Sequence, residues 1–122
     1  MEKNEKLRIF AGILLIASAI THNLQLVVYG TEAHSILAAL YGVAYGILGV
    51  LLLLYRRNQI LALLGGIIPV IGGILGISRL ILFFVIAAGV INFFIIFHVI
   101  VDVIVVPICW YDFFALRKKN LP

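Results

Sequence analysis

The sequence predicts an all-α integral membrane protein, a four-transmembrane-helix bundle with both N and C termini cytoplasmic. Three observations carry this expectation. Hydrophobic residues make up 65% of the 122 residues and charged residues 11%, whereas soluble globular domains hold about 45–50% apolar and about 25% charged residues. That leaves too little polar surface to coat a soluble globule. The apolar residues also fall into runs long enough to cross a bilayer, where helices satisfy their own backbone groups. Finally, eight of the nine Lys and Arg residues sit in three clusters: Lys3, Lys6 and Arg8; Arg56 and Arg57; and Arg117, Lys118 and Lys119. Basic residues collect in cytoplasmic loops, and these clusters fall at alternate span ends.

The chain reads as a single membrane domain, residues 1–122, with spans at about 7–29, 35–55, 60–77 and 81–116. The first span follows the basic amino terminus and ends at the short loop Gly30–His34. Within it Ala17-Ser18-Ala19 has the form of a cleavage site, but the apolar character resumes through Leu24–Tyr29, so a full span is expected rather than a cleaved leader. The second span stops at Arg56-Arg57-Asn58-Gln59, and the third at a break expected at Ser78-Arg79. The fourth run is over-long, since about 20 residues cross the hydrocarbon. Its carboxyl end carries Trp110, Tyr111, Phe113 and Phe114 before Arg117, an aromatic interface belt. One long helix kinked near Pro107 is expected there, with residues 80–90 extended, tilted or folded back.

Glycines recur at helical spacing in the two middle spans: Gly42, Gly46 and Gly49 in the second, and Gly65, Gly66, Gly72, Gly73 and Gly76 around Pro69 in the third. Small residues let helices approach closely, so these faces are expected to pack spans two and three together. They also offer a route to a homo-oligomer or a larger membrane complex.

The sharpest functional clue is the polar residues inside the apolar runs, because ionisable groups there are costly and face the bundle interior. Residues 80–116 hold Asn92, His98, Asp102 and Asp112. His98 and Asp102 are four residues apart and share a helix face, a spacing that suits a carboxylate orienting an imidazole. At about 1.5 Å per residue, His22 lies roughly 21 Å from Arg8 and His98 roughly 28 Å from Arg117. Both imidazoles can therefore occupy one layer in the outer half of the membrane, with His34 at the outer end of the second span. His22 and His98 are candidate axial ligands of a haem b, and His22, His34, His98 and Asp102 are candidate ligands for copper or zinc. Tyr41 and Tyr45, one turn apart, are expected to hydrogen-bond backbone carbonyls. Cys109 is the sole cysteine, which rules out an internal disulfide.

Several function classes drop out. The net charge of +4 is divided among the span ends rather than gathered on one face, which argues against a nucleic-acid partner. No nucleophile–base arrangement or phosphate-binding glycine loop is visible, so the reading leans away from an enzyme. The leading expectation is a multi-pass cell-membrane protein, surrounded by the lipid bilayer, that serves as a non-catalytic subunit or scaffold of a larger membrane assembly such as a respiratory one. The alternatives are a metal- or haem-binding membrane protein and a small transporter or proton relay using His98 and Asp102.

Overall fold

A computed structural model describes residues 1–86, 89 and 91–122. The described residues form four α-helices: α1 (Lys3–Tyr29), α2 (Ala33–Leu54), α3 (Gln59–Ile86) and α4 (Phe93–Asn120). Each is long and apolar enough to cross a membrane; even the shortest, at 22 residues, rises about 33 Å against a hydrocarbon core of about 30 Å. The helices run up and down, so that both termini and the α2–α3 turn share one end, here called the terminal end. Arg57 reaches Glu5 there, Asn120 reaches Gln59, and Lys119 pairs with Glu2. The α1–α2 turn lies at the far end.

Two expected boundaries change. Helix α3 does not break at Ser78-Arg79 but continues to Ile86. The Ser78 hydroxyl donates to the Ile74 carbonyl (2.9 Å), so the polar side chain is satisfied within its own helix, and Arg79 turns toward the bundle. Residues 80–86 therefore belong to α3, while positions 87, 88 and 90 of the 80–90 stretch lie outside the described residues. The long fourth run is divided accordingly, because Asn92 is the N-cap of α4: its side-chain oxygen accepts from the Phe94 and Ile95 amides (3.0 and 3.3 Å). Capping explains this otherwise isolated amide. Helix α4 then runs unbroken through Pro107.

The glycines serve pairings other than the expected one. Helix α1 packs most extensively on α2, and α3 on α4; α1 also meets α4, whereas α2 and α3 touch only sparsely. A Cβ at Gly12 would stand 2.9 Å from the Gly49 carbonyl, and one at Gly49 would stand 2.8 Å from the Gly12 carbonyl. The two backbones are thus in direct contact. On the other side Gly65 receives the Cys109 thiol, and Gly66 receives the Trp110 indole, whose Nε1 donates to the Gly66 carbonyl (3.2 Å). The glycines of α2 face α1 and most of those of α3 face α4, within one chain.

The terminal end is closed by a buried ion pair. Arg8 and Asp112 are 0% and 1% exposed and 2.7 Å apart. Asn4 donates to the other Asp112 oxygen (3.0 Å). The rest of the guanidinium donates to the carbonyls of Leu52 (3.3 Å), Tyr55 (2.7 Å) and Asn58 (2.9 Å), which belong to the end of α2 and the turn after it. Helix carboxyl ends leave carbonyls without partners, and a cation there also opposes the helix dipole. Arg8 thus joins α1, α2 and α4 in one contact.

Arg8→Met should strand the Asp112 carboxylate and lower stability by about 3–5 kcal/mol, the usual cost of breaking a buried pair. Arg8→Met combined with Asp112→Leu should recover part of that loss, but not all of it, because the α2 carbonyls still lose their donors. Thermal unfolding of the purified protein in detergent measures both, and additive losses in the double variant would mean that the two side chains act independently.

Candidate functional site

The inward face of α1 carries Ser18, His22 and Gln25, each buried, with Thr21 beside them. Their spacing of three or four residues places them along one side of the helix. Opposite stand His98 and Asp102 of α4, also buried, and Tyr45 of α2. Arg79 of α3 and His34 at the start of α2 complete the group toward the far end. Together they form a polar column in the far half of the bundle, separated from the Arg8–Asp112 pair by apolar packing.

The two histidines meet as expected, but face to face: the His22 and His98 rings stack with centroids 3.5 Å apart and planes 11° apart. Close approach of α1 to α2 permits this, because the His22 Cβ lies where a side chain at Gly42 would begin (2.5 Å). The Thr21 hydroxyl donates to the Ser18 carbonyl (2.9 Å) and so accepts from His98 Nε2 (2.7 Å). His22 Nδ1 donates to the same carbonyl (2.7 Å). These partners assign the tautomers: His22 carries its proton on Nδ1, and His98 carries its proton on Nε2.

His34 does not join this pair. Its Nδ1 accepts from Arg79 Nη2 (2.9 Å) and its Nε2 donates to Glu32 (2.7 Å). Arg79 Nη1 donates to the Gln25 side-chain oxygen (2.8 Å), which makes a chain Glu32–His34–Arg79–Gln25 descending from the far end. Its guanidinium also lies 5.4 Å from the Phe83 ring centroid, a cation–π distance.

Asp102 has a different partner from the one its spacing suggested. The Tyr45 hydroxyl donates to Asp102 Oδ1 at 2.6 Å, while His98, one turn away on α4, is engaged by Thr21. Tyr41 does bond a backbone carbonyl, that of Ile68 (2.9 Å); Tyr45 does not. Gly72 makes the Tyr45 position available, since a Cβ there would lie 2.2 Å from the phenolic oxygen. Among the described residues no cation lies within ion-pair distance of Asp102. The remaining buried aspartate, Asp112, is held by Arg8 at the terminal end.

The stacked geometry bears on the ligands expected for His22 and His98. Two axial ligands must point their lone pairs at one iron from opposite sides. The two rings instead lie face to face with centroids 3.5 Å apart, which leaves no room for an iron between their nitrogens, and Nδ1 of His22 and Nε2 of His98 are already hydrogen-bonded. Among the described residues no group of three or more His, Cys, Asp or Glu is arranged to hold a metal ion. The haem b and the copper or zinc readings therefore receive no geometric support.

Sequence reasoning passed over the Arg8–Asp112 pair, Tyr45 as the partner of Asp102, and the roles of Ser18, Thr21, Gln25 and Arg79. A signal was present for the first, because an aspartate as deep in an apolar run as Asp112 requires a compensating cation. Compared with protein-family models, curated proteins and solved structures, the chain finds no match. The fold and the polar column define an all-helical protein with four helices able to cross a membrane and a polar interior, and its function is argued from that interior.

Gly72→Ala should push Tyr45 off Asp102 and destabilise the bundle by about 1–3 kcal/mol, the range for overpacking a filled site. Gly46→Ala should cost less, since its Cβ would meet only the Ala19 methyl, at 3.3 Å, which a shift of a few tenths of an ångström relieves. Unfolding in detergent ranks the two, and equal tolerance would contradict the close fit of Tyr45 against α3.

Proposed function

We infer that this is a multi-pass cell-membrane protein, with both termini cytoplasmic, that works as a proton relay rather than as an enzyme. The observation that carries the reading is the contrast between its two buried aspartates. Asp112 has a guanidinium and an amide as partners, as a structural carboxylate should. Asp102 is 4% exposed and is held by a phenol alone. A carboxylate so placed in an apolar surrounding is suited to exchange a proton, which removes the charge that has no counter-ion.

The route runs from Glu32 and His34 at the far, extracytoplasmic end to the His22–His98 pair, then to Tyr45 and Asp102. Arg79 and Gln25 line it without carrying the proton, because a guanidinium has no acceptor site, and water passes the proton beside them. Three hydrogen-bonded segments make it up. The stacked imidazoles and the Tyr45 ring, 5.5 Å from His22, separate them, so an imidazole rotation or an intervening water carries the proton across each gap. Below Asp102 lie Leu15, Leu48, Leu52 and Val105, an apolar plug with nothing to carry a proton onward. The relay is one-sided.

A second reading, a non-catalytic subunit or scaffold of a larger membrane assembly such as a respiratory one, draws on the shallow trough between α1 and α2. Ala19, Gly42 and Gly46 keep that trough low, which suits a partner helix.

Infrared difference spectra of the reconstituted protein between acidic and alkaline buffer should show a carboxylic C=O band that titrates and is missing in Asp102→Asn. Tyr45→Phe should shift that band. A spectrum unchanged by Asp102→Asn would overturn the relay and leave the subunit reading. The orientation is checked separately: in a Cys109→Ser background, single cysteines at positions 31 and 32 should label from outside intact cells, and one at position 58 should label only after permeabilisation. The reverse pattern would place the column on the cytoplasmic side.

A further inference from the structure

Asp102 also lies at the base of a groove of ≈ 270 Å³ between α3 and α4, lined otherwise by apolar residues that include Pro69, Gly73, Val99, Val103 and Pro107. The groove opens on the outer surface of the bundle, where Val103 is 67% exposed. Because Tyr45 engages only Oδ1 of the carboxylate, Oδ2 remains for another partner, and it would lie 3.6 Å from a Cβ at Gly73. With no side chain at Gly73, nothing from that residue covers Oδ2, so the buried carboxylate borders the groove on this side. Pro107 adds a second acceptor, since it has no N–H to give to the Val103 carbonyl one turn earlier. An apolar cleft with a buried anion and a freed carbonyl is complementary to an apolar molecule that carries a positive, hydrogen-bond-donating head.

We propose that the α3–α4 groove binds a lipophilic organic ammonium ion that enters from the lipid and displaces the proton of Asp102. The inference rests on the reading of Asp102 as a proton-exchanging group. The exchange balances: the carboxylic acid gives up its proton, the ammonium forms an ion pair with the carboxylate, and the released proton leaves through the polar column. The groups facing Asp102 are Tyr45 and Tyr41 from α2, His98 on its own helix and His22 stacked on that ring from α1; α3 presents Gly73 here and Arg79 farther toward the far end. Of these, only the imidazoles of His98 and His22 have a nitrogen able to accept the proton, since Tyr45 gives its own hydrogen to the carboxylate. The groove thus gives the one-sided relay a lateral exchange partner.

The probe is 4-phenylbutylammonium, titrated calorimetrically into the full-length protein in detergent, with 4-phenylbutanol and 4-phenylbutyrate as the neutral and anionic analogues. The ammonium should bind saturably, release a proton and bind more weakly as pH falls, while the two analogues should not bind. Asp102→Asn should weaken binding by about tenfold or more, the size of one charge-assisted contact. Gly73→Val should do the same by covering the carboxylate, yet keep the titrating infrared band. Gly73→Ala, whose Cβ makes only ordinary contacts of 3.5–4.0 Å with Asp102, should unfold like the parent in detergent and weaken binding less than valine does, which ties the loss to cover over the carboxylate. Equal binding of ammonium and alcohol, binding unchanged in Asp102→Asn, or no binding at all would overturn the proposal. If the band titrates but no ammonium binds, the relay survives and the groove does not. If ammonium binds without a titrating band, proton displacement is overturned together with the relay.

Discussion

The need to give each buried polar side chain at least one partner inside the bundle governs this structure. The outer faces of the helices are apolar along their length, with Ile13, Ile20 and Val27 exposed on α1 and Ile100 and Val103 on α4. In hydrocarbon the hydrophobic effect does not drive helices together, so the register between them must come from contacts that cannot be made elsewhere. Arg8 supplies one, tying α1, α2 and α4 at the terminal end. The Thr21–His98 and Tyr45–Asp102 bonds tie α1 and α2 to α4 in the middle, and Arg79 ties α3 to α1 and α2 farther up. Between the first and second of these levels the interior is apolar, with Ala11, Leu15, Leu52 and Cys109 in one cluster. Three polar levels separated by packing fix all four helices in depth and rotation.

Those polar contacts depend on the glycines. A phenol reaches Asp102 because Gly72 leaves its space empty, and the His22 ring reaches His98 because Gly42 lets α1 lie against α2. Close backbone approach is thus part of the site as well as of the packing. It also explains why α2 and α3, which share few contacts, are joined chiefly by side chains: Tyr41 to the Ile68 carbonyl, Tyr45 against Gly72, and His34 to Arg79. The sparse α2–α3 seam is bridged by the residues that line the column.

The number of helices and their apolar character were legible in the sequence, because run length and the absence of charge report directly on a hydrocarbon environment. Two of the boundaries were not. Ser78-Arg79 resembles a loop in composition, yet serine bonds its own helix and the arginine finds Gln25 and His34. Asn92 looks like one more interior polar group, yet it caps α4. The His22–His98 encounter was foreseeable from depth alone. The choice of Tyr45 over His98 for Asp102 was not, since i to i+4 spacing says which residues share a face but not which neighbour on another helix comes closer. A better guide was available in the polar residues themselves. Asn4, Arg8, Ser18, His22 and Gln25, with Ala11 and Leu15 between them, recur every three or four positions and are all buried. In a membrane helix the polar stripe marks the interior, the reverse of the usual amphipathic rule.

On the relay reading, the two aspartates of α4 divide into a structural carboxylate and an exchangeable one. They lie ten residues apart, or about 15 Å along the axis, and both are buried. Asp112 meets five-donor arginine geometry that also serves three carbonyls, so removing its charge would break several contacts together. Asp102 meets a single hydroxyl, a glycine that leaves its second oxygen uncovered, and a proline that frees a neighbouring carbonyl. Adding a proton there disturbs only the Tyr45 bond, and a phenol can donate to either form of the acid. On the same reading, the apolar plug beneath Asp102 gives direction to the exchange. A proton arriving from the far end has no path toward the terminal end through Leu15, Leu48 and Val105, so the open side of the site is lateral, toward α3 and the surrounding lipid. On this reading the chemistry of the column and the shape of the groove are two halves of one device, and Asp102 is the residue they share.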